Sequence, residues 1–411
     1  MTNRPVSSIR LGYATNAFSY ESVSELVQVL SGPIDRIRSR MPHAHFPELE
    51  LRLGIEMVDE LLADSRSFEL LSETLSRRGL SVLSMNSFSP RGFHGRTVKE
   101  DAYRPTWMEQ GRADYTRKVA EIFARLLPES GKVTISTSPG SFKGFGHDDA
   151  VLDHIGEAYA TMAGFLHRLE DETGRRLLLC IEPEPGCSIE TSDELIDFYE
   201  NRLALGGRDS LSRREEISKL EAEDLVRRHI AVTFDTAHQS VEFEELPDAM
   251  RRIDEAGIII GKVHATSALS LESPSSHPEA LGRLVTLSKS PHMHQAIGVD
   301  AARRIVIREH DLDTLLSHDH TLGACSEVRI HFHLPLFLER LGPLGTTARD
   351  AQAAARFAVE RGLCNTVVLE TYTWAVLGLT LELADLDMEE GVAREIAWAH
   401  EHLVSARASA G

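Results

Sequence analysis

The chain has 411 residues, 42% hydrophobic and 26% charged, enough apolar material for a large core in one α/β domain or two smaller ones. Asp and Glu number 63 against 44 Lys and Arg, a formal charge of -19, so the summed field repels phosphate backbones and anionic membranes and argues against nucleic-acid binding. Cys180, Cys187, Cys325 and Cys364 form no CxxC pair and lie far apart, which gives no sign of a zinc finger or disulfide framework and fits a reducing cytoplasm. The first residues lack the basic-then-apolar pattern of a signal peptide, and no stretch reaches the roughly 18 apolar residues of a membrane span. A soluble cytoplasmic protein is expected.

In chain order, short apolar β-branched runs alternate with longer helical patterns, the signature of parallel βα units. Strands are expected within Ser8–Asn16, Leu49–Met57, Leu80–Phe88, Lys132–Ser138, Arg176–Glu184, Ile230–Ala237, Ile258–Thr266, Val328–Leu334 and Asn365–Tyr372. That is one more than a closed (β/α)8 TIM barrel uses. Amphipathic helices are expected at Ala113–Leu127, Ala150–Glu170, Asp193–Leu203 and Ala348–Glu360, several opened by Ser, Thr or Asp. The interval from Ser267 to Glu327 breaks the alternation with a Ser/Pro-rich piece and then a segment that can form a hairpin closed around Val299–Ala302. It reads as an insertion or lid, residues 267–327, after strand seven of a single 1–411 domain. Strand eight is then Asn365–Tyr372, with Val328–Leu334 in the excursion or extending the pocket wall; the register with Val328–Leu334 as strand eight stays open.

The C-terminal ends of barrel strands face the active site. There strand five brings Glu182, strand six Asp235 with His238 three residues on, strand seven His264 and strand eight Glu370. This oxygen-rich set with one imidazole suits Mn, Mg, Co or Zn as a divalent ion. Any one of them could instead be half of an ion pair or a satisfied core histidine. However, the run Leu177–Ile181 offers Glu182 no polar partner, and burying an unpaired charge costs several kcal/mol. Four such groups at four consecutive strand ends make the metal reading. Glu184 shares the face of Glu182 one layer further out, where it can orient a ligand, contact substrate or pair with a basic residue. His331 and His333 likewise share a face, as a second metal pair, as proton carriers or as an edge-strand pair. The segment "NSFSPRGFHG" supplies Asn86, Arg91 and His94 beside Phe88 and Phe93, and "TYTW" supplies Tyr372 and Trp374, an aromatic mouth with a few polar substrate contacts. Arg91 can meet a carboxylate or phosphate. No P-loop or dinucleotide fingerprint is present, so no nucleotide cofactor is indicated.

At these residues the chain resembles the xylose isomerase-like TIM barrels, which include sugar-phosphate isomerases and epimerases, hydroxypyruvate isomerase, inosose dehydratase and the endonuclease IV type of AP endonuclease. The closer resemblance is to EboE, described as a metabolite traffic protein of the ebo gene clusters. It rests on "LGYATN", "NSFSPRGFHG" followed by "VKEDAYRPTW", "STSPGSF", "IEPEPGCSIETS", "FDTAHQSVEFE", "HFHLPLF" and "LETYTW", which span residues 11 to 374. The resemblance implies Glu182, Asp235, His264 and Glu370 as divalent metal ligands with His238 close by, and two glutamates that flank substrate and move protons. The chain departs from that family at Ala14 and Phe18, where Cys and His are common, and at His264, where Gln is frequent. A small-molecule metabolite is the implied ligand, and a membrane prenyltransferase-like protein from the same clusters an implied partner; a homo-oligomer is compatible. The expected activity is isomerisation or epimerisation of a hydroxy-carbonyl compound. Glu182 or Glu370 removes the proton alpha to the carbonyl, and the other, or His238, returns it. A hydride shift uses the same ligands. A non-catalytic carrier on the same barrel is the alternative, and an AP endonuclease-type phosphodiesterase is opposed by the net negative charge.

Overall fold

The computed structural model describes residues 9–41, 46–92, 99–127, 132–290, 292–317, 322–377 and 387–404. Eight short strands lie parallel in a closed barrel: β1 (Arg10–Ala14), β2 (Glu48–Arg52), β3 (Val82–Asn86), β4 (Lys132–Thr137), β5 (Arg176–Ile181), β6 (Ile230–Asp235), β7 (Ile260–Ala265) and, last in the chain, β14 (Thr366–Leu369). β14 closes the ring between β7 and β1, with Arg10 opposite Thr366 and Val367 opposite Val263. The eighth barrel strand therefore falls inside Asn365–Tyr372, not Val328–Leu334. Among the described residues no helix is long and apolar enough to cross a membrane.

Between β7 and β14 the chain builds a second, antiparallel sheet over residues 267–346. Its strands are β8 (Ser267–Glu272), β9 (Ala296–Val299), β10 (Ile305–Glu309), β11 (Glu327–Leu334), β12 (Arg340–Leu341) and β13 (Leu344–Thr346), in the order β10-β9-β11-β8-β13-β12. The expected hairpin is β9 with β10, its turn held by the Asp300 carboxylate, which accepts from the amides of Ala302 and Arg304. Three strands of this sheet and the helix Pro278–Leu287 were not legible. A single residue, Thr266, separates β7 from β8, and the helix begins in the Ser/Pro-rich piece. Its proline sits in the first turn, where a missing N–H costs nothing, and Ala280, Leu284 and Leu287 bury one face.

The expected helices appear at Gln110–Leu126, Asp149–Thr173, Ser192–Asp197 and Ala348–Glu360, the third continuing as a wider π-helical stretch, Phe198–Gly207. Asp148 caps the second, and Gly174 ends it in the left-handed conformation at φ 69. That helix packs against the π-helical stretch so closely that a Cβ at Gly156 would stand 2.5 Å from the Arg202 carbonyl oxygen.

Inside the barrel, alternation puts Lys262 and His264 of β7 on one inward face. The Lys262 ammonium meets the Glu50 carboxylate of β2 and donates to Ser84 Oγ (2.9 Å) and Ser136 Oγ (3.0 Å), all of them buried. Replacing Lys262 with Met leaves the buried Glu50 with His264 as its remaining charged partner. The variant is expected to lose about 3–5 kcal/mol of stability, read from its urea unfolding midpoint, and the double replacement Lys262→Met, Glu50→Leu to recover part of that loss. A single variant as stable as the parent would show that the pair does not hold the barrel layer together.

Candidate metal and substrate site

One layer above Lys262, the strand ends converge. Asp235 closes β6 and stands beside His264 of β7, which in turn pairs with Val368 of β14; Glu182 and Glu370 are the first residues past β5 and β14. His264 Nδ1 lies 2.7 Å from Glu182 Oε1, 2.9 Å from Glu370 Oε2 and 3.8 Å from Asp235 Oδ2. Its Nε2 is 2.9 Å from Glu50 Oε1. A carboxylate only accepts, so Nε2 carries a proton toward Glu50, and the other ring nitrogen faces the carboxylates above. Glu370 Oε1 accepts from the side-chain amides of Asn16 and Asn86, both at 2.8 Å. Asp235 Oδ1 accepts from the amides of Ala237 and His238, while Asp235 Oδ2 and Glu182 Oε2 are buried without a hydrogen-bond partner. Glu182, Asp235, His264 and Glu370 each offer a ligand atom, all within 4.8 Å of one another. Buried carboxylate oxygens without partners, in so tight a cluster, are what a cation would satisfy, so the residues fit a divalent ion.

The buried groups shift one another's ionisation. Burial opposes charge on His264, but Glu182, Glu370 and Glu50 outweigh it and hold its pKa well above the ordinary value. Burial would likewise raise Glu50, yet Lys262 and His264 hold it far below the usual carboxylate range. Burial raises Glu182, with His264 offsetting part of the shift. Asp235 is lowered, because His238, His333 and His264 overcome the cost of its burial.

Above this cluster opens a pocket of about 670 Å³, its mouth included. Of the residues expected at the site, Asn86, Glu182, Glu184, His238, His331, His333, Glu370 and Tyr372 line it. Asp235 and His264 lie just beneath. Glu184 Oε1 accepts from Tyr103 Oη (2.8 Å) and Gln295 Nε2 (3.1 Å), its Oε2 has no partner, and burial pushes its pKa up to about 7 against the pull of His238.

Arg91 and Trp374 do not reach the pocket. The chain turns outward after Pro90, so Arg91 is exposed and lines a separate cleft with Glu21, Arg104 and Glu109. The guanidinium at the pocket belongs to Arg52, which donates to the Arg91 carbonyl. Trp374 is buried behind the wall, its indole N–H donating to Tyr13 Oη at 3.1 Å. Tyr13 in turn donates to Glu395, as does Thr371 at 2.7 Å, so Trp374 props the segment that carries Glu370 rather than touching a ligand. His94 and Phe93 lie outside the described residues. Glu50, Lys262, Arg52 and Tyr103 do not stand out in the sequence as site residues; for the first three the signal is a charged residue within an apolar strand, in "LELRLG" and "IIIGKVHAT", and for Tyr103 there is none.

No protein-family profile matches the chain, and no curated protein does. Among solved structures it is similar to a xylose isomerase-like TIM barrel protein from Mycobacterium smegmatis in complex with magnesium, at 12% identity and TM-score 0.54 over 97% of each chain. It is also similar to an L-ribulose 3-epimerase, at 12% identity and TM-score 0.51 over 98% of this chain and 97% of that one. The fold is thus a (β/α)8 barrel, similar in architecture to these two neighbours.

Burial raises the Glu395 carboxyl to about 7, with Thr371 and Tyr13 offsetting part of the shift. A raised acid adds stability below its unfolded pKa and loses it as pH climbs through the folded value. Relative to the parent, Glu395→Gln is therefore expected to gain on the order of 3 kcal/mol between pH 4.5 and pH 8, read from denaturant melts. A constant difference across that range would contradict the buried, protonated carboxyl.

Proposed function

We propose that the protein is a divalent-metal-dependent isomerase or epimerase that moves a proton between carbons of a hydroxy-carbonyl metabolite. The observation that carries this reading is the buried Glu182, Asp235, His264 and Glu370 cluster, with its orphaned carboxylate oxygens, at the floor of a small-molecule pocket. Three carboxylates and one imidazole suit Mn²⁺, Mg²⁺, Co²⁺ or Zn²⁺. A bound ion would supply Lewis-acid polarisation of the substrate's vicinal oxygens.

The chain's own residues do the rest. Glu182, raised by burial, is suited to take the proton alpha to the carbonyl. Asn16 and Asn86 fix the Glu370 carboxyl so that Oε2 faces the cluster. Glu370 returns the proton. Phe88, Tyr103 and Tyr372 wall the pocket against water, and Glu184 offers its bare Oε2 to a substrate hydroxyl. The resemblance of its motif run to EboE is what suggests a place in the processing or traffic of a secondary metabolite.

Replacing Glu182 or Glu370 with Gln is expected to lower turnover by about 10²–10⁴-fold while circular dichroism stays native. Incubation of the metal-loaded protein with a pool of hydroxy-ketones in D₂O is expected to place deuterium alpha to the carbonyl. Full activity in both variants sinks the assignment. Ligand binding with no exchange would leave a metabolite carrier instead.

A further inference from the structure

The roof of the pocket holds three imidazoles whose hydrogen bonds the carboxylate cluster does not explain. His238 Nδ1 lies 2.9 Å from the Pro183 carbonyl oxygen, and His333 Nδ1 2.9 Å from the Glu370 carbonyl oxygen. His331 Nδ1 lies 2.6 Å from Gln295 Oε1. That amide is oriented by its NH₂ side, which donates to the Pro185 carbonyl (2.8 Å) and to Glu184 Oε1 (3.1 Å). All three Nδ1 positions therefore face oxygens that only accept, so each is an N–H donor. In neutral rings the three Nε2 atoms are then bare lone pairs.

Those lone pairs point at one another. His331 Nε2 and His333 Nε2 are 3.0 Å apart, and His333 Nε2 and His238 Nε2 3.3 Å. The partnerless Asp235 Oδ2 stands 3.9 Å from both His238 Nε2 and His333 Nε2. One shared proton ties at most two of these atoms. Donors held about 2.0–2.1 Å from a tetrahedral ion stand roughly 3.3 Å apart. The N–H donated to a fixed oxygen is also how metal-binding imidazoles are held in their tautomer and aim.

We propose that His238, His331 and His333, with Asp235 Oδ2 on the side of the carboxylate cluster, form a second cation site. It takes a borderline ion such as Zn²⁺ or Co²⁺, because three imidazoles favour these over Mg²⁺. It is distinct in chemistry from the oxygen-rich site below it, and Asp235 faces both. Two of its ligands come from β11, so a bound ion also fastens the inserted sheet to β6 of the barrel. Pairing supports this aim: between Ile330 and Leu334, β11 advances four residues against two of β8, a bulge that turns His331 and His333 toward the pocket.

The test uses the full chain, stripped with a chelator and reloaded with Zn²⁺ and Mn²⁺ together. Metal content is read by mass spectrometry and position by anomalous diffraction at each absorption edge. Two equivalents are expected, with a zinc peak bonded to the three Nε2 atoms. The double replacement His331→Ala, His333→Ala is expected to lose that peak and one equivalent while keeping the other. Should the double variant not fold, diffraction from the parent decides alone. Metal among the carboxylates only overturns the second site and leaves the isomerase reading standing. A peak among the imidazoles only supports the second site and removes the basis of the isomerase reading. No bound metal overturns both.

Discussion

Negative charge buried at the mouth of a barrel has to be compensated, and this one requirement organises the site. Glu50, Glu182, Asp235 and Glu370 are all buried around the His264 ring. Each ion taken out of water costs several kcal/mol unless partners restore it. Lys262 accounts for Glu50. His264 then faces three further carboxylates with a single ring nitrogen, and two of their oxygens have no donor at all. A divalent ion resolves this more completely than a proton on His264, since it can reach oxygens that the imidazole cannot.

The inserted sheet has to be understood against that deficit. It places nitrogen and amide groups, His331, His333 and Gln295, above carboxylates supplied by the barrel. It is tied to the barrel by polar contacts near the rim, where Arg308 pairs with Glu242 and Lys99 with Asp311. The same insertion walls one side of the pocket, so the barrel supplies the carboxylates and the excursion supplies imidazoles and part of the enclosure. Gln295 joins the two, donating to Glu184 while accepting from His331.

Most of this architecture was legible because barrel strands are buried on both faces and read as apolar runs with polar residues at their ends. Glu182, Asp235, His264 and Glu370 stood out for that reason, and the structure brings them together. Glu50 and Lys262 carry the same signal in mid-strand but need each other to make sense, and their partnership across 212 positions is not a local pattern. Arg91 and Trp374 show the opposite error. Both sit in motifs beside true pocket residues, yet the side-chain direction after a strand end depends on the turn taken there, at Pro90 in one case and at the short helix Trp374–Leu377 in the other. Val328–Leu334, expected in the excursion, kept the alternative of a barrel strand open because any strand buried on both faces reads alike; its pairing with β8 and β9 places it in the second sheet.

The central claim is that this barrel mouth is incomplete without a cation. Its most direct test is the unfolding free energy of the chelator-stripped protein in denaturant, with and without Mn²⁺. If the claim holds, an ion at a hundred times its dissociation constant adds about 2.7 kcal/mol, and Asp235→Asn removes that gain. An unfolding curve that does not move on adding the ion, in a protein that is folded without it, would contradict the account.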